Sequence, residues 1–253
     1  MDLFLKDKQA LVTGGSRGIG LAVANSLAAE GCHLHLAART KDDLELASMN
    51  IEEKFGVKVE THVSNLSLAA DQTSLSAICK NIDILVNNAG AIPRGSIEQI
   101  DDKALRESWE LKLFGYINLA RYFYHYMKQR QSGVIMNIIG AAANNPNYNY
   151  IAGTMANAAL QNFTVALGKE SQNHGVRVLG VHPGITETER MIIHHEKQAE
   201  ILTGDKTRWQ EFVPKLPFDR PTTTQEVADL VTFLVSDRAS YTSGVVINVT
   251  GGL

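Results

Sequence analysis

Short runs of apolar and β-branched residues alternate along the chain with longer segments whose apolar positions recur every three or four residues. The runs Gln9–Thr13, His33–Ala38, Val57–His62, Asp83–Asn87, Gly133–Ile138, Val176–His182 and Val245–Val249 are mostly too apolar to leave one face wet. They predict strands of a parallel sheet covered by helices on both sides. Helices are predicted between them. Ile19–Glu30 stops at Gly31, a good left-handed terminator. Asp101–Arg130 carries Leu105, Trp109, Tyr116, Ala120, Phe123 and Met127 at helical spacing. Thr154–Asn173 ends near Gly175, and Thr223–Leu234 is a shorter version. The alternation predicts one doubly wound α/β domain over residues 1–253, with right-handed crossovers. Residues 189–221 break the rhythm with charge, two histidines and Pro214, Pro217 and Pro221. A segment of that length predicts a substrate lid or binding loop.

Composition narrows the function classes. Lys plus Arg is 24 against 27 for Asp plus Glu, so no basic footprint for nucleic acid is present. No apolar run approaches the roughly 20 residues a membrane helix needs, and MDLFLKDKQ lacks the features of a signal peptide. Cys32 and Cys79 are isolated in sequence, with neither a disulfide framework nor a metal spacing. A reducing, cytoplasmic setting is expected, with no metal. Adjacent His194 and His195 point about 100° apart on a helix and do not make a metal pair.

The chemistry gathers behind the strands. The first runs into Thr13-Gly14-Gly15-Ser16-Arg17-Gly18-Ile19-Gly20 and then a helix. Glycines there let backbone approach a pyrophosphate, and the helix N-terminus offers free N–H groups and partial positive charge. The second strand ends Ala37-Ala38-Arg39, without the carboxylate that would hold a ribose 2′-hydroxyl. Arg39 with Arg17 favours a 2′-phosphate, hence NADP(H), NAD remaining possible. Asn87 is placed to tie neighbouring strands, and Asn88-Ala89-Gly90 leaves room for a flat ring or ribose. His182-Pro183-Gly184-Ile185-Thr186-Glu187-Thr188 is placed to present backbone groups and a hydroxyl to a carboxamide. Ligands bind at this edge of open parallel sheets.

TGGSRGIG, the NNAG of 87–90, PGITET at 183–188 and the closing Gly244…Thr250-Gly251-Gly252, in that order over nearly the whole chain, resemble a short-chain dehydrogenase/reductase. The resemblance implies a Rossmann-like domain with a seven-stranded sheet, a nicotinamide dinucleotide, a small carbonyl or alcohol substrate and a homodimer or homotetramer. Segments 101–130 and 154–173 resemble the family's assembly surfaces. Asn65-Leu66 sits where an acidic residue commonly holds the adenine. The cofactor set implied is Gly14, Ser16, Arg17, Gly18, Ile19, Gly20, Arg39, Asn65, Leu66, Asn88, Ala89, Gly90, Pro183, Gly184, Thr186 and Thr188.

The family's chemistry rests on an Asn, a Ser, a Tyr and a Lys, which put a proton donor beside a developing alkoxide with a cation nearby. Here Lys112 falls at the asparagine's place and Gly140 at the serine's. One register matches Tyr150 to the tyrosine, with Thr154 at the lysine. The gapless register, which is preferred, puts Gly153 at the tyrosine and Asn157 at the lysine. Either way the serine, lysine and asparagine are missing. Three readings follow. In the first, a reductase or dehydrogenase has rearranged catalytic groups, with Tyr150 reaching in from one helical turn earlier and Lys112 supplying positive charge. The second is a dinucleotide-binding protein with little catalysis, and the third a non-redox reaction in the same pocket. Lys112 is either a snorkelling stem or an ammonium aimed at a polar cavity. Tyr148, His182, Glu189, Arg190 and Arg208 are further polar candidates, and Cys32 is expected to be packed and inert.

Overall fold

The computed structural model describes residues 1–252. Seven strands form one parallel sheet in the order β3-β2-β1-β4-β5-β6-β7: β1 Gln9–Thr13, β2 His33–Ala38, β3 Val59–Val63, β4 Ile84–Asn87, β5 Gly133–Ile138, β6 Val176–Pro183 and β7 Val245–Val249. The chain winds outward from β1 in one direction and from β4 in the other, so the switch point lies between these two strands. The helices are α1 Gly18–Ala29, α2 Lys41–Phe55, α3 Ala69–Ile78, α4 Asp102–Trp109, α5 Gly115–Arg130, α6 Ile151–Ser171, α7 Glu189–Thr203 and α8 Thr224–Val235.

Alternate strand residues build two cores. Ala10, Val12, Leu34, Leu36, Ile84 and Val86 face α1, α2 and α8. Leu11, Ala37, Leu85 and Ile135 face α3 and α5. A smaller cluster at the rim joins Ile92, Leu113, Tyr116, Ala152, Ala156 and Leu160, seating the start of α6 against the α4–α5 rod. Arg177 on β6 donates to the carbonyls of Leu234, Val235 and Ser236, satisfying acceptors at the end of α8.

The expected strands form within one residue of their predicted ends, apart from β3, which starts at Val59 rather than Val57. As the edge strand, β3 leaves Glu60, Thr61 and Val63 exposed. The expected helix over 101–130 divides into α4, a π-helical turn at Glu110–Phe114, and α5. Residues 189–203, expected as lid or loop, form α7, capped by the Thr188 hydroxyl accepting from Met191 N–H. Helices α2 and α3 are not singled out by the apolar pattern, since few of their residues are buried.

Candidate active site

The glycine-rich turn is built to bring backbone close to backbone. Gly14 adopts φ +63°, and a Cβ on Gly20 would run into the Gly14 carbonyl, so α1 starts against the turn only because position 20 has no side chain. Asn88 fixes this arrangement, donating from Nδ2 to the carbonyls of Thr13 (2.9 Å) and Gly14 (3.2 Å). The Thr13 hydroxyl accepts from the N–H groups of Asn88 and Ala89. No side chain caps α1 and no acid lies in its first turn. Its leading N–H groups and partial charge are therefore available to an anion. Thr188 lies beside Gly18, its Cγ2 3.6 Å from where a Cβ would be, so the 183–188 loop closes over the turn. Gly184 N–H donates to Val249, and the Thr186 hydroxyl to the Gly184 carbonyl. Asn87 donates to Asn137 Oδ1 across β4 and β5, as its position implied.

The two arginines expected at the 2′-position differ. Arg17 pairs with both carboxylate oxygens of Asp43 (2.8 and 2.9 Å) and with Glu189 (3.0 Å), which raises its pKa and lowers that of Asp43. Arg39 is exposed and makes no hydrogen bond or ion pair among the described residues. The open guanidinium is Arg39, and Asp43 was not visible as Arg17's partner from sequence. At the position expected to border an adenine, Asn65 Oδ1 accepts from both the N–H and the hydroxyl of Ser67, and Asp71 takes the Asn65 N–H at 2.7 Å. Leu66 is buried.

Lys112 sits in the π-helical turn, a local unwinding often found at functional sites. Its side chain is 8% exposed, and its ammonium donates to the Ile138 carbonyl (2.7 Å) and the Tyr116 hydroxyl (2.9 Å). The snorkelling reading is therefore excluded. The stem crosses Gly90, where a Cβ would lie 2.8 Å from Lys112 Cδ. Burial, helped by the charge of Arg190, pulls the ammonium down to about 7.

Tyr150 precedes α6, and its ring lies in the space a side chain on Gly153 would fill. Gly95 fixes the segment, donating to the Asn149 carbonyl and accepting from Ile151 N–H. Arg94 lies 5.7 Å from the ring centroid. Burial raises the phenol's pKa, while Arg190 and Arg94 oppose that rise. Gly140 and Asn157 make a second such pair, a Cβ on Gly140 falling 2.8 Å from Asn157 Nδ2. Asn157 is buried, and its Oδ1 has no hydrogen-bond partner. His182 is buried, bonded through Nε2 to Gln161 Oε1 at 2.6 Å, with Nδ1 unpartnered. Burial lowers its pKa below the ordinary imidazole value, with Gly140's backbone opposing and Lys112 adding to the effect. Arg190 donates to the carbonyls of Gly90 (3.1 Å) and Ile92 (2.7 Å), pinning α7 over this region. Arg94 and Gln161 have no spacing that relates them to Tyr150, Lys112 or His182; Tyr116 lies four residues after Lys112 on one helical stripe, where its apolar ring reads as core and hides the hydroxyl's role. Tyr148 is 55% exposed, and Arg208 pairs with Glu211 away from these groups.

The profile of short chain dehydrogenases matches residues 8–199, about three quarters of the chain. The chain belongs to the short-chain dehydrogenase family. It is 31% identical, over the full length of both chains, to the 3-oxoacyl-[acyl-carrier-protein] reductase of Aquifex aeolicus. It is 30% identical to 2,3-dihydro-2,3-dihydroxybenzoate dehydrogenase of Bacillus subtilis, over 98% of this chain and 96% of that one. L-sorbose reductase of Gluconobacter frateurii, solved with NADPH and L-sorbose, superposes with a TM-score of 0.93 at 31% identity, covering 99% of this chain and 98% of the other. The relatives are oxidoreductases of different substrates. The sorbose reductase structure holds NADPH, and the turn at Gly14–Gly20, with its uncapped helix and its glycine at position 20, fits such a group.

Proposed function

We propose that this short-chain dehydrogenase transfers hydride between NADP(H) and a small carbonyl or alcohol, with Tyr150 as proton donor and acceptor and Lys112 as the neighbouring cation. The observation that carries the reading is the Tyr150 ring lying over Gly153. A phenol lost from the helix is replaced in the same space by one from the preceding turn. Bound NADPH supplies the hydride to the carbonyl carbon. The chain's own groups do the rest. The turn Gly14–Gly20, with Ser16, Gly18 and Ile19, receives the pyrophosphate, and Asn65 with Leu66 borders the adenine. Asn88, Ala89 and Gly90 flank the ribose, while Pro183, Gly184, Thr186 and Thr188 border the nicotinamide. Arg39 meets the 2′-phosphate, with Arg17 already neutralised by Asp43 and Glu189.

In reduction the Tyr150 hydroxyl gives its proton to the substrate oxygen as that oxygen gains negative charge, and solvent later returns the proton. Lys112 bonds the Tyr116 hydroxyl, which in turn feels Tyr150; protonated, it is assigned the stabilising of the developing phenolate and alkoxide, a task the family gives to the lysine in whose place Asn157 falls. Residues 189–221 serve as the lid, with Arg190 as its latch on the Gly90 and Ile92 carbonyls. The protein is proposed to self-associate through α5 and α6, where Phe114 just before α5 and Met155 on α6 are exposed. A cytoplasmic setting suits the two free, buried cysteines, and no helix among the described residues is long and apolar enough to cross a membrane.

The test is loss of NADPH absorbance with a panel of ketones, aldehydes and quinones, run beside NADPH binding by fluorescence. Turnover on at least one carbonyl is expected. Tight binding with silence across the panel would overturn the catalytic reading in favour of a binding protein.

A further inference from the structure

Away from the cofactor cleft, three metal-ligating side chains from separate elements converge on one point beside the edge strand. His35 of β2, His62 of β3 and Cys79 at the end of α3 each direct a ligand atom there, and the three atoms lie within 4.8 Å of one another. His35 Nδ1 is 3.0 Å from His62 Nε2, and Cys79 Sγ is 3.6 Å from the same His62 nitrogen. A tetrahedral zinc ion with nitrogen and thiolate ligands separates them by about 3.3 to 3.6 Å. A triangle of these sides has a point no more than about 2.4 Å from every corner, close to zinc–ligand lengths.

Hydrogen bonding alone leaves this arrangement short of partners. One His62 Nε2 faces both the imidazole of His35 and the thiol of Cys79, yet it carries either one proton or one lone pair. A fourth donor stands at the rim. Glu60 shares the His62 face of β3, two residues away, and its Oε2 is 3.6 Å from His35 Nδ1. Glu60 is exposed and His62 half-buried, which gives an ion an entry path at the edge of the sheet.

We propose that His35, His62 and Cys79, completed by Glu60 or water, form a binding site for a zinc-class divalent transition metal. Soft thiolate and imidazole ligands in a four-coordinate cage select such ions over magnesium or calcium. Binding replaces the Cys79 proton, which passes to solvent, so one thiolate–metal bond forms as one S–H bond breaks. The metal is a staple rather than a catalyst. It ties the edge strand β3 and the end of α3 to β2, on the side of the sheet from which the Ser64–Leu66 loop leads toward the adenine. The spacing 35, 62, 79 hides the site in sequence, because the sheet register assembles it.

The test uses the full chain, expressed without a polyhistidine tag, stripped with chelator and titrated with Co²⁺. One equivalent is expected to bind with a near-ultraviolet thiolate-to-cobalt band and strong visible bands of a four-coordinate ion, both displaced by Zn²⁺. Cys79→Ser should abolish the thiolate band, His62→Gln should weaken binding at least about tenfold, and Cys32→Ser should change neither. Tm should climb with zinc concentration in the unaltered protein and not in Cys79→Ser. Absence of a thiolate band, or a band that survives Cys79→Ser, overturns the proposal. Should Cys79→Ser fail to fold, an unchanged affinity in His62→Gln overturns it equally.

Discussion

Residue 153 has to be glycine, because the Tyr150 ring occupies its side-chain space. Gly153→Ala, harmless by helix propensity, is therefore expected to push the ring aside. It should lower kcat/KM at least about tenfold while the NADPH dissociation constant stays put, which steady-state kinetics beside fluorescence titration will show. Lys112 makes a prediction about pH. Burial brings its ammonium to about 7 in the folded protein, against roughly 10.4 in the unfolded chain. Between those values the unfolded chain binds the extra proton, so the residue's contribution to stability rises with pH across that window. Lys112→Met should thus gain most over the unaltered protein below pH 7 and lose that advantage by about pH 10, read from denaturation at several pH values. In the proposed catalysis the protonated form is the useful one. The rate of carbonyl reduction should fall as pH rises through about 7, and Lys112→Met should remove that inflection.

At the level of elements, the strands and motif loops were legible because they obey simple periodicities. Continuous apolar runs became buried parallel strands, and the glycine spacing after β1 became the turn before α1. The π-helical turn was not legible, since Glu110–Phe114 continues the stripe of its neighbours and only the observed backbone shows the altered hydrogen bonding there. Helix α2 escaped notice because only Leu44, Ala47, Ser48 and Ile51 are buried on an otherwise charged segment. Its Asp43 holds Arg17 and leaves Arg39 as the open guanidinium, which on the proposed function bears on cofactor choice. Arg39→Ala is expected to reduce the NADPH-over-NADH preference at least about tenfold, whereas Asp43→Asn should increase it by releasing Arg17. Equal affinities for NADPH and NADH in the unaltered protein would contradict both.

Over the whole molecule, the sheet collects groups from distant parts of the sequence at its carboxyl edge. The residues proposed to hold the cofactor lie in local motifs, each carried on one loop. Those proposed for the chemistry do not, because Tyr150, Arg94, Arg190 and Lys112 come from four segments that only tertiary packing relates. The two Cys residues lie in different packed clusters, and one of them, Cys79, is a ligand of the proposed metal site, which no linear spacing revealed. Self-association belongs to this scale as well. Light scattering on the eluting protein should give twice or four times the chain mass, and Phe114→Glu with Met155→Glu should shift it toward the monomer. The rearranged proton donor is most directly tested by kcat/KM for NADPH-driven carbonyl reduction in Tyr150→Phe against the unaltered enzyme. The account predicts a loss of at least about a hundredfold with NADPH affinity preserved; equal kcat/KM in the two proteins would contradict it.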